Sequence, residues 1–205
     1  MCDTSPLTHC VRALSRSGCV DRIVVAGPPG TADEYRGTGT SVGAAALDAV
    51  SVGADHCPVD VVPGQDDRVG SLRSAWDAVA PGSADMVLLH DAEYPCTPPE
   101  TVRAVVEALR AGARAVVPVE AVTDTVKRTD PDDLLLGTRD RDGLRRTLAP
   151  WGFTADALTD ADLADPLTTC GAAVHTVPGH PHGMRVRTAF DRAVLEALLE
   201  AEGEP

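Results

Sequence analysis

Aromatic side chains are nearly absent: two Trp, two Tyr and two Phe amount to 3% of 205 residues. A core must therefore be built mainly from Ala, Val and Leu. Hydrophobic residues still reach 43%, which excludes a chain too polar to collapse. Lysine is scarcer yet. Of 18 basic side chains only Lys127 is not Arg; GC-rich coding accounts for an arginine excess, and so draws interest to the one Lys that persists. The net charge of −13 excludes nucleic acid and anionic membrane as general partners. A phosphorylated ligand remains compatible with a local cluster of cations. No C-x-x-C pair occurs among Cys2, Cys10, Cys19, Cys57, Cys96 and Cys170, and no apolar run is long enough for a signal segment or a membrane span. The six thiols are expected to be buried or incidental in a reducing cytoplasm, with neither a disulfide framework nor a zinc site. His180 and His182 fall in a Pro/Gly-rich turn, where solvated side chains are expected.

What is present is a repeated switch between helical and strand-like periods. Leu7, Cys10, Val11 and Leu14 keep helical spacing, and Gly18 closes that helix. Ile23–Ala26 predicts a strand running into Gly27-Pro28-Pro29-Gly30; a loop is expected at Thr38–Thr40 and a short Ala-rich helix over Val42–Val52. Val59–Val62 predicts a strand, Arg68 to Val79 a helix, Met86–Leu89 a strand, Glu100–Ala111 a helix opened by two prolines, and Ala115–Val119 a strand. Such alternation predicts a single doubly wound α/β domain over 1–205, its mostly parallel sheet covered on both faces. Ligands of such sheets bind beyond the carboxyl ends of the strands, where Pro63-Gly64, Asp91 and Glu120 fall. The stretch Val122–Arg141 breaks the rhythm and reads as a projecting β-hairpin. Isolated hairpins are marginal in water, so this one is expected to pack on a second subunit. A short helical stretch, a strand over Ala172–Val177, a turn, Met184–Arg187 and a closing helix Ala189–Glu202 complete the chain.

Three clusters carry chemistry. The run Pro63-Gly64-Gln65-Asp66-Asp67-Arg68-Val69-Gly70-Ser71 joins a strand end to a helix start and suits an anion or nucleotide, although Ser71 as a backbone cap and Arg68 as a surface residue explain it equally. In Leu89-His90-Asp91-Ala92 a carboxylate follows a strand, which fits either a Mg²⁺ position or a cap on the next loop. The hairpin and its flanks hold Thr123, Asp124, Thr125, Lys127, Arg128, Arg139 and Arg141. They make either a solvated charged arm or a phosphate site at a subunit interface.

Taken in order, these segments resemble the 2-C-methyl-D-erythritol 4-phosphate cytidylyltransferase family from about Pro6 to Leu199. Pro6-Leu7 through Leu14 looks like its Pro-Leu…His-x-x-x-x-Leu helix, with Asp21–Val25 as the next strand. Val62–Leu72 is similar to its Gly…Arg-x-x-Ser segment, and Val87–Pro95 to His-Asp-Ala-Ala-Arg-Pro, with Asp91 at the metal-linked Asp. Pro118–Lys127 resembles Pro-Val-x-Asp-Thr-x-Lys, the only Lys sitting at the family's Lys. Thr138–Phe153 follows Thr-x-Asp-Arg-x-x-Leu-(x)₅-Pro-x-Gly-Phe; Thr159-Asp160 looks like the start of Thr-Asp-Asp, and Gly179–Thr188 like Gly…Asn-Ile-Lys-x-Thr.

The resemblance implies a nucleotide-diphospho-sugar-transferase-like, Rossmann-like fold, dimeric through the arm. It implies transfer of CMP from CTP to methylerythritol phosphate or a related polyol phosphate, in the cytoplasm, with Mg²⁺ at Asp91, as part of isoprenoid precursor synthesis. Nucleotide contacts then fall on Gly64, Arg68, Ser71, Asp91 and Ala92, acceptor contacts on Thr125, Lys127, Arg141 and Thr159, and the catalytic cations are Arg141 and Arg185. The departures are specific. Tyr94 replaces an Arg, Leu148-Ala149-Pro150-Trp151 replaces Gln-Thr-Pro-Gln, and Arg185 replaces a Lys with a planar fork. The family's opening strand and Ala-Ala-Gly-x-Gly-x-Arg loop have no counterpart in Met1–Ser5. On that ground weak or absent turnover is expected. The alternative is a non-catalytic dimer partner or ligand-binding subunit, paired with itself or with a complete homologue.

Overall fold

A computed structural model of the chain describes residues 6–27, 57–79, 82 and 84–201. The expected loop at Thr38–Thr40 and helix at Val42–Val52 lie outside the described residues.

The first helix, α1, spans Pro6–Arg16 and buries Cys10, Val11 and Leu14. Strand β1 (Ile23–Gly27) lies parallel to β2 (Val59–Pro63), and helix α2 (Arg68–Ala78) follows. Asp67 caps α2, its side chain accepting from the Gly70 amide at 2.6 Å. Next come β3 (Met86–Leu89), α3 (Pro99–Arg110) and β4 (Ala115–Ala121). Pro98 and Pro99 occupy the cap and first position of α3, where a missing amide costs no hydrogen bond. The hairpin is real: β5 (Val126–Thr129) pairs antiparallel with β6 (Leu135–Arg139).

Beyond the hairpin, two short strands that the sequence did not announce precede the expected helical stretch. Strand β7 (Arg145–Thr147) joins the edge of β4, and β8 (Trp151–Thr154) inserts between β3 and β4, antiparallel to both. Helices α4 (Ala155–Thr159) and α5 (Pro166–Thr169), strand β9 (Val174–Pro178), a 3₁₀ turn at Pro181–Gly183 and α6 (Ala189–Ala201) finish the fold. Strand β9 runs parallel to β4. The α/β class holds: β1 and β2 form a parallel two-stranded sheet of their own, and the five-stranded sheet β3-β8-β4-β7, with β9 on β4, is mixed, β4–β9 being its parallel pair.

The insertion of β8 organises the core, because its side chains alternate across the sheet. Phe153 is fully buried with Ala115, Ala157, Leu158, Leu163 and Cys170, and Leu72 and Trp76 of α2 pack on this group. At Gly152 the opposite face is open: a Cβ there would lie 2.5 Å from Val105 and 2.9 Å from Leu109, so glycine lets α3 sit against the sheet. Val105 and Leu109 complete that side with Val116, and Leu88 packs on them. Among the described residues no helix is long and apolar enough to cross a membrane. His182 is 4% exposed rather than solvated, a correction to the sequence expectation. Its ring meets that of His180 edge-on at 4.7 Å.

Candidate active site

The carboxyl ends of β1 and β2 are drawn together by a tight turn. Gly27 and Pro63 form the last pair of the ladder, and the Gly64 amide donates to the Gly27 carbonyl at 2.6 Å. A Cβ at Gly64 would sit 2.5 Å from that carbonyl oxygen and 2.7 Å from the Ser71 hydroxyl, so only glycine fits. Ser71 Oγ accepts from the Gln65 amide at 3.0 Å and donates to the Gln65 carbonyl at 3.1 Å. The capping role of Ser71 is thus the one observed. It fixes the Gly64–Gln65 backbone at the mouth of the strands.

Asp91 follows β3, which is held in place by the Leu89–Trp151 pairing with β8. Of the two sequence readings of Asp91, the cap on the next loop is the one observed. Oδ1 accepts from the Glu93 amide at 2.9 Å and caps the loop. Oδ2 faces two cations, Arg68 Nε at 3.6 Å and Arg185 Nη2 at 4.0 Å. Each guanidinium lies near an aromatic ring. Arg68 is 5.7 Å from the centre of the Trp151 ring, and Arg185 is 5.8 Å from that of Tyr94. Trp151 is itself fixed, its indole N–H donating to the Leu148 carbonyl at 2.8 Å. The two departures Tyr94 and Trp151 therefore both touch the cations of the centre.

Glu93 completes the group and was not foreseen. Its carboxylate accepts from Arg185 Nε and, at 3.1 Å, from Arg187 Nε. The Val186 amide donates to the Glu93 carbonyl at 2.7 Å, stitching 185–187 to the Asp91 loop. In an extended stretch residues two apart share a face, which is why Arg185 and Arg187 reach one carboxylate while Val186 does not. Alternation along 184–188 and a Glu at the second Ala of His-Asp-Ala-Ala-Arg-Pro were the available signals.

Ala92 is exposed on this loop. Behind the loop two titratable groups are kept neutral. Burial pushes the Cys10 thiol up to about 12, with Cys96 and Asp91 adding to the effect, so it is no nucleophile. Burial likewise lowers the pKa of His90, whose Nε2 lies 3.0 Å from the Tyr94 carbonyl. Both support the loop from beneath.

The residues present suit a cation carried in by a ligand. Among the described residues no cluster of three or more His, Cys, Asp or Glu could cage a metal. Asp91 Oδ2 accepts no hydrogen bond within the described structure and has only the two arginines for company. One such carboxylate, with substrate phosphates and water supplying the rest, is how Mg²⁺ is ordinarily held.

The arm residues lie apart. Lys127 Nζ donates to Thr138 Oγ1 at 2.6 Å across the hairpin, and Arg141 donates to the Thr123 carbonyl. Thr125 is exposed just before β5. Thr123, Arg141 and Arg145 border an open cavity of about 300 Å³. Thr159 ends α4 and donates to the Ala155 carbonyl at 2.8 Å. Among the described residues no hydrogen bond or ion pair joins Thr125, Lys127, Arg141 or Thr159 to the Asp91 group.

An α/β fold with a glycine turn at the end of its β1–β2 pair and an arginine-flanked carboxylate after β3 fits a Rossmann-like nucleotidyltransferase. Solved structures agree. The 4-diphosphocytidyl-2C-methyl-D-erythritol synthase of Anaerococcus prevotii superposes with a TM-score of 0.77 at 21% identity, covering 95% of this chain and 89% of that one. The 2-C-methyl-D-erythritol 4-phosphate cytidylyltransferase of Thermus thermophilus gives 0.70 at 22% identity, covering 96% and 89%. At such identities they speak for the fold alone.

The chain belongs to the 2-C-methyl-D-erythritol 4-phosphate cytidylyltransferase family, whose model matches residues 2–201. Curated proteins of that name are similar along most of their length. The relative from Saccharopolyspora erythraea is 41% identical, with 95% of this chain and 86% of the relative covered. The one from Streptomyces avermitilis is 36% identical, with 96% and 80% covered.

Proposed function

We propose that this chain transfers the cytidylyl group of CTP to the phosphate of 2-C-methyl-D-erythritol 4-phosphate, a step of isoprenoid precursor synthesis. The observation that carries the reading is the Asp91 carboxylate at the end of β3, faced by Arg68 and Arg185 beside the fixed Gly64 turn. A phosphate oxygen of the acceptor attacks the α-phosphorus of CTP. The bond from that phosphorus to the bridging oxygen is broken, and its electron pair leaves with pyrophosphate. Such chemistry depends on alignment and charge neutralisation more than on proton transfer. The Gly64–Gln65 backbone takes the nucleoside, and Arg68 and Arg185 offset phosphate charge. Mg²⁺ held by Asp91 would supply Lewis-acid neutralisation of the triphosphate.

The acceptor phosphate is assigned to the arm of a second copy, through Thr125, Lys127 and Arg141. Support comes from the arm's exposure: Leu134, Leu135 and Leu136 are 64%, 68% and 57% exposed, more apolar surface than a free hairpin tolerates. Thr159 contributes only its hydroxyl, already bonded within α4, and is the weakest of the acceptor assignments.

The test is pyrophosphate release with CTP, Mg²⁺ and methylerythritol phosphate. Pyrophosphate release above background is expected, lost in Asp91→Asn. A folded wild-type chain that binds CTP without turnover would sink the reading. It would leave the non-catalytic subunit, which takes no support from the Asp91 group.

A further inference from the structure

Glu93 has a place in the centre that neither the motif nor the proposed chemistry assigns. It is 39% exposed, lies two residues from Asp91, and bridges Arg185 and Arg187 across more than ninety residues of sequence. Its own main chain is pinned at both polar atoms. The amide donates to Asp91 Oδ1 at 2.9 Å, and the carbonyl accepts from Val186 at 2.7 Å. The carboxylate therefore projects from a fixed point onto two guanidinium groups on one face of an extended segment. With Nε of Arg185 committed to Glu93 and its face near the Tyr94 ring, Nη2 is the part that meets Asp91, at 4.0 Å. A lysine could not be held this way, because its three donors share one nitrogen, which cannot both anchor at Glu93 and stand apart beside Asp91.

We infer that Glu93 is a positioning residue: its carboxylate fixes the guanidinium groups of Arg185 and Arg187 so that Arg185 presents Nη2 beside Asp91, where phosphate charge is handled. This rests on the cytidylyl-transfer reading. Two effects of removing Glu93 oppose one another, and that makes the assignment testable. One is electrostatic: with the carboxylate gone, the cluster is one unit more positive, which favours any polyanion. The other is geometric: two long side chains regain their rotamers, and alignment at the α-phosphorus is lost. A positioning residue therefore shows opposite signs in the two kinetic constants, whereas a merely structural one worsens both.

The experiment compares wild type with Glu93→Ala and Glu93→Gln, measuring kcat, KM for CTP, melting temperature and the NMR signals of the arginine Nε–H groups. Half-exposed pairs orient weakly, so kcat of Glu93→Ala is expected to fall about tenfold with KM for CTP unchanged or lower. Glu93→Gln keeps an acceptor oxygen and is expected to stay within about threefold of wild type. The Nε–H signals of Arg185 and Arg187 are expected to exchange slowly with water in wild type and rapidly in Glu93→Ala. Three results would overturn the inference: kcat unchanged or raised, kcat and CTP affinity falling together with the melting temperature, or protected Nε–H signals in the Ala variant. If wild type binds CTP but does not turn over, the functional reading fails, and the Nε–H exchange alone decides the role of Glu93.

Discussion

The two clusters of cations in this molecule are built in opposite ways. At the centre every partner is distant in sequence: Arg68 meets Asp91, Arg185 meets Glu93, and each guanidinium lies near an aromatic ring. On the arm every partner is local: Lys127 bonds Thr138 opposite it on the hairpin, and Arg141 bonds the Thr123 carbonyl a few residues from the same β-ladder. Side-chain freedom at the centre is partly surrendered when the chain folds, so charge there is largely placed before a ligand arrives. On the arm much of that entropy is still to be lost. A braced centre and a bare arm are what a site shared between two copies would require. One half can be finished by a single chain, while the other waits for its neighbour.

The largest effect expected from breaking this contrast is at the centre. Asp91→Asn keeps the cap on Glu93 through its side-chain oxygen but removes the charge that faces both arginines. Losses of roughly 10²–10³ in pyrophosphate release are expected, as for removal of a preorganised charged group. The arm comes next. Arg141→Ala is expected to lower kcat/KM for the acceptor by about one to two orders of magnitude, from the loss of a charged hydrogen bond, with CTP affinity by calorimetry unchanged. Mixing the two inactive variants sharpens the comparison. If the arm serves the neighbour, a mixed dimer has one intact site, and an equimolar mixture recovers about a quarter of wild-type activity under random pairing. No recovery, with mixed dimers shown by native mass spectrometry, would mean that each chain uses its own Arg141.

A smaller effect tests the arm's apolar side. Light scattering is expected to give about twice the 21.3 kDa chain mass. Leu135→Glu places a charge on a side chain that is 68% exposed in the single chain. A monomer should fold around it with little change in melting temperature, and only assembly should suffer. A dimer unaffected by this change would place the interface elsewhere.

Legibility from sequence followed the same divide between local and distant causes. Helices α1 and α3 were readable because amphipathic spacing and, for α3, the opening Pro98-Pro99 are written within a few residues. Strands β7 and β8 were not. They are three and four residues long, and β8 contains Gly152, a poor strand former, placed there by the approach of α3. Its antiparallel insertion is a tertiary outcome with no local signature. Asp91 was legible from its motif. For Glu93 and Arg187 the local signals mark the positions but not the partner, because the contact spans 94 residues. The burial of His182 escaped for the same reason, since packing around the turn, not its Pro/Gly composition, decides exposure.

The smallest effect lies where the centre is anchored from behind. Thr188 and Asp191 form a reciprocal cap at the start of α6: Asp191 Oδ2 accepts from the Arg187 and Thr188 amides at 2.9 and 2.8 Å, and the Asp191 amide donates to Thr188 Oγ1 at 3.1 Å. This cap holds the backbone from which Arg187 and Arg185 project, so it supports the centre without touching a ligand. The Arg187 and Thr188 amides keep the Asp191 carboxyl below its ordinary value of 3.8. A depressed acid contributes stability that is present above the unfolded value and is lost as pH falls through the folded one. Asp191→Ala is therefore expected to lower the melting temperature at pH 7, and the gap to wild type should close as pH drops below about 4. Turnover at pH 7 should fall only about two- to threefold, because Glu93 and the Val186–Glu93 backbone bond still hold the segment from the other side. A gap in melting temperature that stays constant into acid would mean that the side chain acts by packing and not by its charge. A loss in turnover as large as that of Glu93→Ala would move the main brace of the centre from Glu93 to the helix cap.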